Sequence, residues 1–398
     1  MHADPLPELE HAIWNARPHE LVDTVTDRVK ADLDVADVEI LLVDYHMTFL
    51  VPVRPGREPV RLDNTTAGHA FAAQEVVAEA LTAGPGDAHL LHLPLAVHGD
   101  RLGVLIVRLP GRPTETQRTA GARIATVVAR ALKIADQHTD LFRRVRRRSR
   151  LTLAAEMQWE LLPGRACSTD EFHLAGQLEP AYSVWGDNFD WSVSADRLTL
   201  TVTNGMGAGT EAAALTHLAI SALRNARRSG ADIVDQAALA DQTVYAQHRG
   251  TRHLATLLLD FELATGRVRT IDAGSPYMYR MRGNVTEMVQ FDAQLPLGMF
   301  GDVRYTVEEF TVEPGDRLVV VSDGVHTAES PMGELYGAVA LMQTLRATRL
   351  QNPSEAVRTF IRHYLDHHEG SDPLDDAVVV CLDWTGKTAA ARTLSEEA

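Results

Sequence analysis

The first hundred residues alternate between helical and strand-like patterns of hydrophobic positions. Apolar residues recur at helical spacing near the start of the chain, with a break at Pro18. Two later apolar runs are joined by His98-Gly99-Asp100, where Gly99 supplies the positive φ that a tight hairpin needs. The predicted helices are 9–29 and 67–81, and the predicted strands are 38–43, 49–53, 90–97 and 102–109. Strands framed by helices predict a small α+β domain with one sheet over residues 6–112.

Residues 113–163 form a connector with a helical pattern. Thr114 and Gln117 have the spacing of a capping box. An arginine run at 143–150 interrupts the apolar spacing, so one long helix and two helices with a joint are both open. We expect the connector to transmit a signal between domains and to pair with its twin in a homodimer. A passive spacer is the alternative.

From residue 164 onward, short apolar runs alternate with amphipathic stretches. The predicted strands include 198–202, 255–261, 267–272, 317–322 and 377–382, and the predicted helices are 210–226, 233–248, 337–349 and 353–368. Many strands with helices in pairs predict sheets covered by helices rather than a strict βαβ repeat. This unit extends over 164–384, and the small, polar tail at 385–398 is expected to be flexible.

Composition and charge narrow the function classes. The 398 residues are 45% hydrophobic and 23% charged, which is typical of a soluble globular protein. A formal net charge of −16 argues against a nucleic-acid partner, and we interpret the arginine run as a solvated helix face. No apolar run reaches the ~20 residues that span a bilayer, and the N-terminus lacks a signal-peptide pattern. Cys167 and Cys381 form no disulfide framework, so a cytoplasmic protein without a membrane partner is expected.

Four polar phrases lie at strand edges or glycine turns of the last unit. They are VWGDNFDW with Asp187 and Asp190, TVTNGMGAG at 201–209, VVVSDGV with Asp323, and DPLDDAVVV with Asp372, Asp375 and Asp376. An Asp-Gly pair after an apolar strand is usually a turn. Carboxylates at the ends of several strands, beside glycines that let the backbone approach, are also what a hard divalent cation needs. Two such ions close together clamp a phosphate and lower the pKa of a bridging water.

The hairpin phrase LHLPLAVHGDRLGVLIV at 91–107, with its flanking helices, resembles GAF-type sensory domains. That resemblance implies a pocket above the sheet for a small ligand, which the sequence does not identify, or a dimer contact. His89, His92 and His98 lie on or beside the hairpin. We interpret them as half-exposed strand residues, because a metal site needs convergent ligands with supporting partners.

From residue 153 onward the sequence resembles metal-dependent protein serine/threonine phosphatases of the PPM type, in their SpoIIE-like and RsbU-like branch. The matching phrases occur in family order and are AAEMQWELLP, VWGDNFD, NGMGAGTEAA, DAGSPYMY, LPLGM, VEPGDRLVVVSDGV, GELYG and DDAVVV. The resemblance implies an α-β-β-α sandwich, in which two stacked antiparallel sheets are flanked by helix pairs. It also implies a dinuclear Mn²⁺ or Mg²⁺ site at one end of the sandwich.

The family pattern assigns roles to individual positions. It makes Asp187 the first metal-site aspartate, position 204 the next, the Gly205 carbonyl a further ligand, and Asp323 and Asp375 the remaining carboxylates. The predicted catalytic residues are thus Asp187, Asn204, Asp323 and Asp375, and the predicted metal site adds Gly205. Asp190 and Asp376 are candidates for supporting roles. The family mechanism is in-line attack of metal-bound water on a phosphoserine or phosphothreonine, and neither cysteine lies in these phrases, which disfavours a cysteine nucleophile.

Several positions depart from the family pattern. Position 204 is Asn where the family has Asp, and a neutral amide is a poor bridge between two cations. Trp185 replaces a usual glycine, Asn188 a usual aromatic residue, and Ser275 the histidine of the NAGH phrase. A simple Asn-Gly turn without a metal role is the alternative interpretation of Asn204.

The sequence therefore predicts a sensor-gated regulatory phosphatase. Its substrate would be a phosphoserine or phosphothreonine on a partner protein, and the resemblance implies that this partner is an anti-sigma-factor antagonist. The alternative hypothesis is a pseudophosphatase, which binds partners with little or no hydrolysis because Asn204 weakens the metal site.

Overall fold

The computed structural model describes residues 6–33, 35, 37–81, 87–148, 151–181, 184–274, 276–337, 339–371 and 373–386. The chain forms two compact units, Met1–Arg150 and Leu151–Ala398. The helices of the predicted connector are divided between these units rather than forming a third body. Most of the predicted tail, residues 387–398, lies outside the described residues.

The first unit combines helices with one sheet. Its helices are α1 Leu6–Asn15, α2 Leu21–Leu33, α3 Thr66–Ala73, α4 Glu115–Ala135 and α5 Leu141–Arg146. Its strands are β1 Asp37–Val43, β2 Phe49–Pro52, β3 Val60–Arg61, β4 Val77–Ala80, β5 His89–Val97 and β6 Asp100–Leu109. The sheet is antiparallel with the order β3-β2-β1-β6-β5-β4.

Both faces of this sheet are covered. Successive residues of β1 point to opposite faces, so they belong to two different cores. Ile40 and Leu42 belong to the core formed with α1, α2, α4 and α5. Leu41 and Val43 belong to a second core with Phe71 of α3. The continuous apolar run of β1 therefore reflects burial on both faces.

The predicted helix at 67–81 is only half correct. Helix α3 ends at Ala73 because Gln74 adopts the left-handed conformation at the C-cap, with φ 58°. The following residues form β4, which pairs with β5. Strand pairing supplied by the rest of the domain thus overrides the local helical pattern.

The connector is not one long helix. Thr114 forms the predicted capping box with Gln117, but the helix it begins ends at Ala135. The interpretation of the arginine run as a solvated face is also incomplete. The Arg148 guanidinium lies 3.7 Å from the centroid of the Phe49 ring, a cation–π contact that fixes this segment to the sheet.

The second unit contains six helices and eleven strands within its described residues. The helices are α6 Leu153–Leu161, α7 Gly209–Arg228, α8 Ile233–His248, α9 Asp323–His326, α10 Ala340–Ala347 and α11 Pro353–His367. The strands are β7 Ala166–Ser168, β8 Phe172–Glu179, β9 Asn188–Val193, β10 Arg197–Gly205, β11 Leu254–Glu262, β12 Arg267–Ala273, β13 Tyr277–Arg282, β14 Val285–Val289, β15 Glu308–Thr311, β16 Arg317–Val321 and β17 Ala377–Trp384.

These strands form two antiparallel sheets. One has the order β15-β12-β11-β10-β9, and the other has the order β14-β13-β16-β17-β8-β7. The sheets face each other closely, since a Cβ added at Gly176 of β8 would lie 2.6 Å from the Phe189 ring of β9. Between them Phe261 stacks on Trp384, with ring centroids 6.1 Å apart.

Helices cover the outer face of each sheet. Residues of α7 and α8 share a core with β11 and β12, and α10 and α11 share a core with β16 and β17. The unit is therefore an α-β-β-α sandwich, and the predicted α+β fold class is confirmed. No helix among the described residues is long and apolar enough to cross a bilayer. Cys167 and Cys381 are buried free thiols.

Candidate functional site

Four of the predicted site segments lie where strands of the two sheets begin or end. Asp187 directly precedes β9, and Asn204 and Gly205 are the last residues of β10. Asp323 begins α9 just after β16, while Asp375 lies just before β17. Antiparallel pairing of β9 with β10, and of β16 with β17, brings each pair of segments to the same sheet edge. The Asn204–Asp323 hydrogen bond then joins the two edges at one end of the sandwich.

Asp187 is the most unusual group of the site. Its side chain is fully buried, and neither carboxylate oxygen forms an ion pair or accepts a backbone N–H from any described residue. Burial raises the pKa of this carboxyl well above its usual range, and the negative charges of Asp376, Asp375 and Asp323 raise it further, while the nearby Ser322 hydroxyl opposes them. A buried, unpaired carboxylate is costly to fold around, so this position indicates a site built for a cation.

Asp323 and Asn204 are directly bonded. Asn204 Nδ2 donates a hydrogen bond to Asp323 Oδ1, which also accepts one from the Gly324 N–H at 2.8 Å. Burial raises the pKa of Asp323, and these donors oppose that effect. The amide therefore satisfies one oxygen of a predicted metal ligand.

The two adjacent aspartates before β17 have different roles. Asp375 is half-buried, and burial together with the charge of Asp323 raises its pKa to about 6. Asp376 is fully buried, and burial raises its pKa to about 7. The carboxylate of Asp376 accepts hydrogen bonds from the N–H groups of Ala181 and Trp185, each at 2.9 Å. Asp376 thus holds the segment that carries Asp187, which agrees with a supporting role.

The backbones of Gly186 and Gly205 approach each other closely beside the site. The Gly205 N–H donates to the Gly186 carbonyl at 3.1 Å, and Thr216 Oγ1 donates to the same carbonyl at 2.7 Å. A Cβ at Gly205 would lie 2.6 Å from Thr216 Oγ1, and one at Gly186 would lie 2.4 Å from the Gly205 carbonyl oxygen. Both positions therefore need glycine.

The Asn-Gly turn proposed as an alternative for residue 204 is wrong. Strand β10 continues through Asn204 and Gly205, which pair with Ala255 and Leu254 of β11. Because successive strand residues point to opposite faces of a sheet, this pairing fixes the face to which the Asn204 side chain points. Its side chain hydrogen-bonds Asp323 rather than its own backbone.

Other departures from the family pattern lie around this centre. Trp185 is 37% exposed, and its Nε1 donates to the Leu374 carbonyl at 2.7 Å. Asn188 is buried and its Nδ2 donates to Gln158 Oε1 at 2.9 Å, which ties β9 to α6. Ser275 and Asp372 lie outside the described residues.

The structure does not place Asp190 beside the other carboxylates. Its Oδ1 accepts hydrogen bonds from Arg224 Nε at 3.2 Å and Nη2 at 2.8 Å, and its Oδ2 accepts one from Arg227 at 3.1 Å. Two arginines neutralise this carboxylate and fix α7 to β9. Asp190 therefore serves the packing of the unit.

The side chains of the site have the oxygen donors that a divalent cation prefers, but their present positions do not converge on one point. Asp187, Asp323 and Asp375 supply carboxylate oxygens, and those of Asp187 form no ion pair with any described residue. Across the described ranges, no group of three or more His, Cys, Asp and Glu side chains converges enough to hold a metal ion. Asn204 contributes a neutral amide already bonded to Asp323.

Sequence reasoning missed two residues that shape the site. Thr216 on α7 bonds the Gly186 carbonyl, and Ser322 Oγ accepts a hydrogen bond from the Val378 N–H at 3.0 Å, which aligns β16 with β17. Ser322 belongs to the quoted VVVSDGV phrase, so its place beside Asp323 was a signal. Thr216 has no local signal, because only packing of α7 on β10 brings it there.

The family match to known proteins lies in the second unit. Residues 194–385 match the family described as Stage II sporulation protein E (SpoIIE), a span that includes Asn204, Asp323 and Asp375 and begins after Asp187. Protein IcfG of Synechocystis sp. is 22% identical over 263 residues, which cover 59% of this chain and 41% of that protein. The chain thus spans less than half the length of this curated relative.

Solved structures with low sequence identity also align. The PP2C phosphatase domain of SpoIIE from Bacillus subtilis, with a fragment of its regulatory domain, is 13% identical and covers 79% of this chain and 85% of its own, with a TM-score of 0.48. The RsbU and RsbW domains of Rv1364c from Mycobacterium tuberculosis are 19% identical and cover 57% and 68%, with a TM-score of 0.47. On the family match and the sandwich fold, the second unit is a SpoIIE-like domain of the PPM phosphatase type.

Proposed function

We propose that this protein is a regulatory phosphatase that hydrolyses a phosphoserine or phosphothreonine on a partner protein. The buried carboxylate of Asp187, which forms no ion pair within the described residues, carries the proposal. A structural role would give such a carboxylate a positively charged partner, since a buried charge without one destabilises the fold. A divalent cation is the partner that suits it, and the family match makes Mn²⁺ or Mg²⁺ the expected ion.

The residues around Asp187 divide the work. Asp187, Asp323 and Asp375, with the Gly205 carbonyl, would hold the cation, which supplies Lewis-acid stabilisation of phosphate charge and activation of water. Asp376 keeps the Asp187 segment in place through the Ala181 and Trp185 amides. Three carboxylates fit one divalent ion better than two, so we expect weaker metal binding than a site with four.

A specific observation favours the alternative, a pseudophosphatase. Asn204 donates an N–H to Asp323, so this position presents a donor where a metal ligand requires an acceptor. The same bond keeps Asp323 from turning both oxygens toward a cation. In this reading, the site keeps its shape for partner binding and has lost most of its hydrolysis.

The partner and the sensor complete the proposal. By family resemblance, the substrate is an anti-sigma-factor antagonist and the protein is a cytoplasmic homodimer. The first unit would act as a GAF-like sensor, and the segment 113–163, whose helices α4 and α5 pack in the core of that unit, would transmit its signal. A cavity of about 570 Å³ on the sheet of the first unit, lined in part by Thr66, His92 and Arg108, supports a small-ligand role.

Metal titration and hydrolysis assays on the full chain distinguish the two functions. Under the phosphatase proposal, calorimetry detects Mn²⁺ binding, and the same Mn²⁺ concentrations activate hydrolysis of phosphoserine and phosphothreonine peptides. An Asp323→Ala variant loses both signals, while Asp196→Ala, an exposed change at a distant β-turn, keeps them. Mn²⁺ binding without any hydrolysis supports the pseudophosphatase, and no Mn²⁺ binding at all refutes the metal site.

A further inference from the structure

The second unit contains a cavity of about 680 Å³ that the phosphatase site does not use. It lies beneath the turn between α7 and α8, against the outer face of the five-stranded sheet. Its lining residues on β10 are Arg197 and Thr199, at the opposite end of that strand from Asn204 and Gly205. The cavity is therefore separate from the candidate metal centre.

Positive charge dominates the lining of this cavity. Five arginines contribute to its walls, namely Arg197, Arg224, Arg227, Arg228 and Arg269. Three carboxylates accompany them, on Asp190, Asp232 and Asp260. Five positive and three negative groups give a local formal charge of +2 in a chain whose net charge is −16. Such a concentration of arginine against the overall charge indicates an anionic ligand.

The ion pairs inside the cavity leave guanidinium donors unused. Arg224 is the most engaged, because its Nε and Nη2 bond Asp190 and its Nη2 also bonds the Leu161 carbonyl. Arg197 bonds Asp260 through Nη1 at 2.7 Å, and Arg269 contacts Asp232 at 3.3 Å through Nη2. Each guanidinium carries five N–H groups, so these contacts use only part of each fork.

Arg228 is the strongest candidate for ligand contact. Its side chain is exposed, and it makes no hydrogen bond or ion pair with any residue in the described ranges. Its neighbour Arg227 spends one Nη2 contact on Asp190 at 3.1 Å. The free guanidinium of Arg228 offers the planar fork of N–H donors with which arginine binds phosphate oxygens, and Arg227 keeps part of its own fork unused.

The rest of the lining suits a small organic molecule. Ser192 and Thr199 offer hydroxyl groups on adjacent strands, and Trp191, Pro163 and Ile233 supply apolar surface. The volume lies within the range of ~300–1,000 Å³ that small-molecule sites occupy. We propose that this cavity binds a phosphate-bearing small molecule, with its phosphate at Arg227 and Arg228 and its organic part against Trp191.

Calorimetric titration of the full-length protein with AMP and with inorganic phosphate tests this site. The buffer contains EDTA, so that metal-dependent binding at the phosphatase centre does not contribute and the result is independent of the proposed function. We expect wild-type protein to bind AMP, and Arg228→Ala to weaken that binding about tenfold, since a hydrogen bond to a charged group is worth about 1.5 kcal/mol or more. Arg228→Glu should abolish it. Adenosine, which lacks the phosphate, should not bind.

Arg304→Ala is the matched control, because Arg304 is also exposed and lies outside the cavity lining. It should bind AMP as the wild type does. The proposal is overturned if neither AMP nor inorganic phosphate binds at about 1 mM, if Arg228→Glu binds AMP normally, or if Arg304→Ala loses binding equally. Binding of a glutamate-rich peptide in place of both probes would also overturn it, in favour of a protein partner.

Discussion

Replacing Asn204 by Asp exchanges an amide for a carboxylate of nearly the same shape, so it tests the electrostatics of the site with little change in packing. In the metal-free protein, the change removes the hydrogen bond from Asn204 Nδ2 to Asp323. It also places a second carboxylate against Asp323, whose pKa burial already raises. Like charges at this distance repel, so we expect Asn204→Asp to destabilise the metal-free protein.

The size of this effect follows from the lost bond. A hydrogen bond to a charged group contributes about 1.5–3 kcal/mol, and the half-buried position of residue 204 favours the lower end. A loss of about 2 kcal/mol corresponds to a fall in Tm of about 4–8 °C for a unit of this size. With Mn²⁺ present at about 100 times its Kd, binding returns about 2.7 kcal/mol. The variant should therefore melt below wild type in EDTA and recover in Mn²⁺.

Differential scanning calorimetry in EDTA and in Mn²⁺ measures both halves of this expectation. Hydrolysis of a phosphoserine peptide should rise at least roughly tenfold in the variant, equivalent to ~1.4 kcal/mol of transition-state stabilisation. Mass spectrometry of the wild-type sample confirms that residue 204 is still Asn, because Asn-Gly sequences deamidate. Equal melting of both proteins in EDTA, or no Mn²⁺-dependent recovery in the variant, would refute the reasoning. Recovery of metal binding without hydrolysis would instead implicate the neighbouring departures, Trp185 first.

Three further expectations follow from the same site. Asp187→Asn should raise the Tm of the metal-free protein while abolishing Mn²⁺ binding by calorimetry, because it removes a buried charge without a positively charged partner among the described residues; a lower Tm would show that the charge is satisfied. Asp375→Asn should stabilise the metal-free protein at pH 8 by at most about 3 kcal/mol, since the folded pKa near 6 exceeds the ordinary 3.8. The wild type should then gain stability as the pH falls from about 6 to about 4, and denaturant titrations should show that gain missing in the variant. Gly205→Ala should lower the Tm by several degrees, because its Cβ would approach Thr216 Oγ1 to 2.6 Å, and Thr216→Ser should restore none of the loss.

Several elements of the fold could be predicted from the sequence because their own residues and immediate neighbours stabilise them. Strand β16 is a run of buried residues bounded by turn residues, and helix α8 follows its N-cap Asp232, whose carboxylate accepts from the N–H groups of Val234 and Asp235. The β5–β6 hairpin could also be predicted, and its turn residues His98 and Gly99 both adopt positive φ. In each case, neighbours in the sequence supply the decisive interaction.

Strand β4 and the structure of the loop before β9 could not be predicted from the sequence in this way. Strand β4 exists because β5 offers it a pairing edge, although its own residues also fit a helix. The loop before β9 is held by Asp376, which is distant in sequence and bonds the Ala181 and Trp185 amides. Sequence patterns carry no information about which distant partner satisfies a backbone group.

The sequence by itself determined the fold class, the ordered phrases of the SpoIIE-like unit and the identity of the candidate carboxylates. Only the tertiary structure decided what each carboxylate does. It separated Asp190, neutralised by Arg224 and Arg227, from Asp187, which forms no ion pair within the described residues, although the two lie three residues apart. The physical reason is that strand alternation and helix packing set the environment of each side chain, and the free energy of a buried charge depends on that environment rather than on residue type.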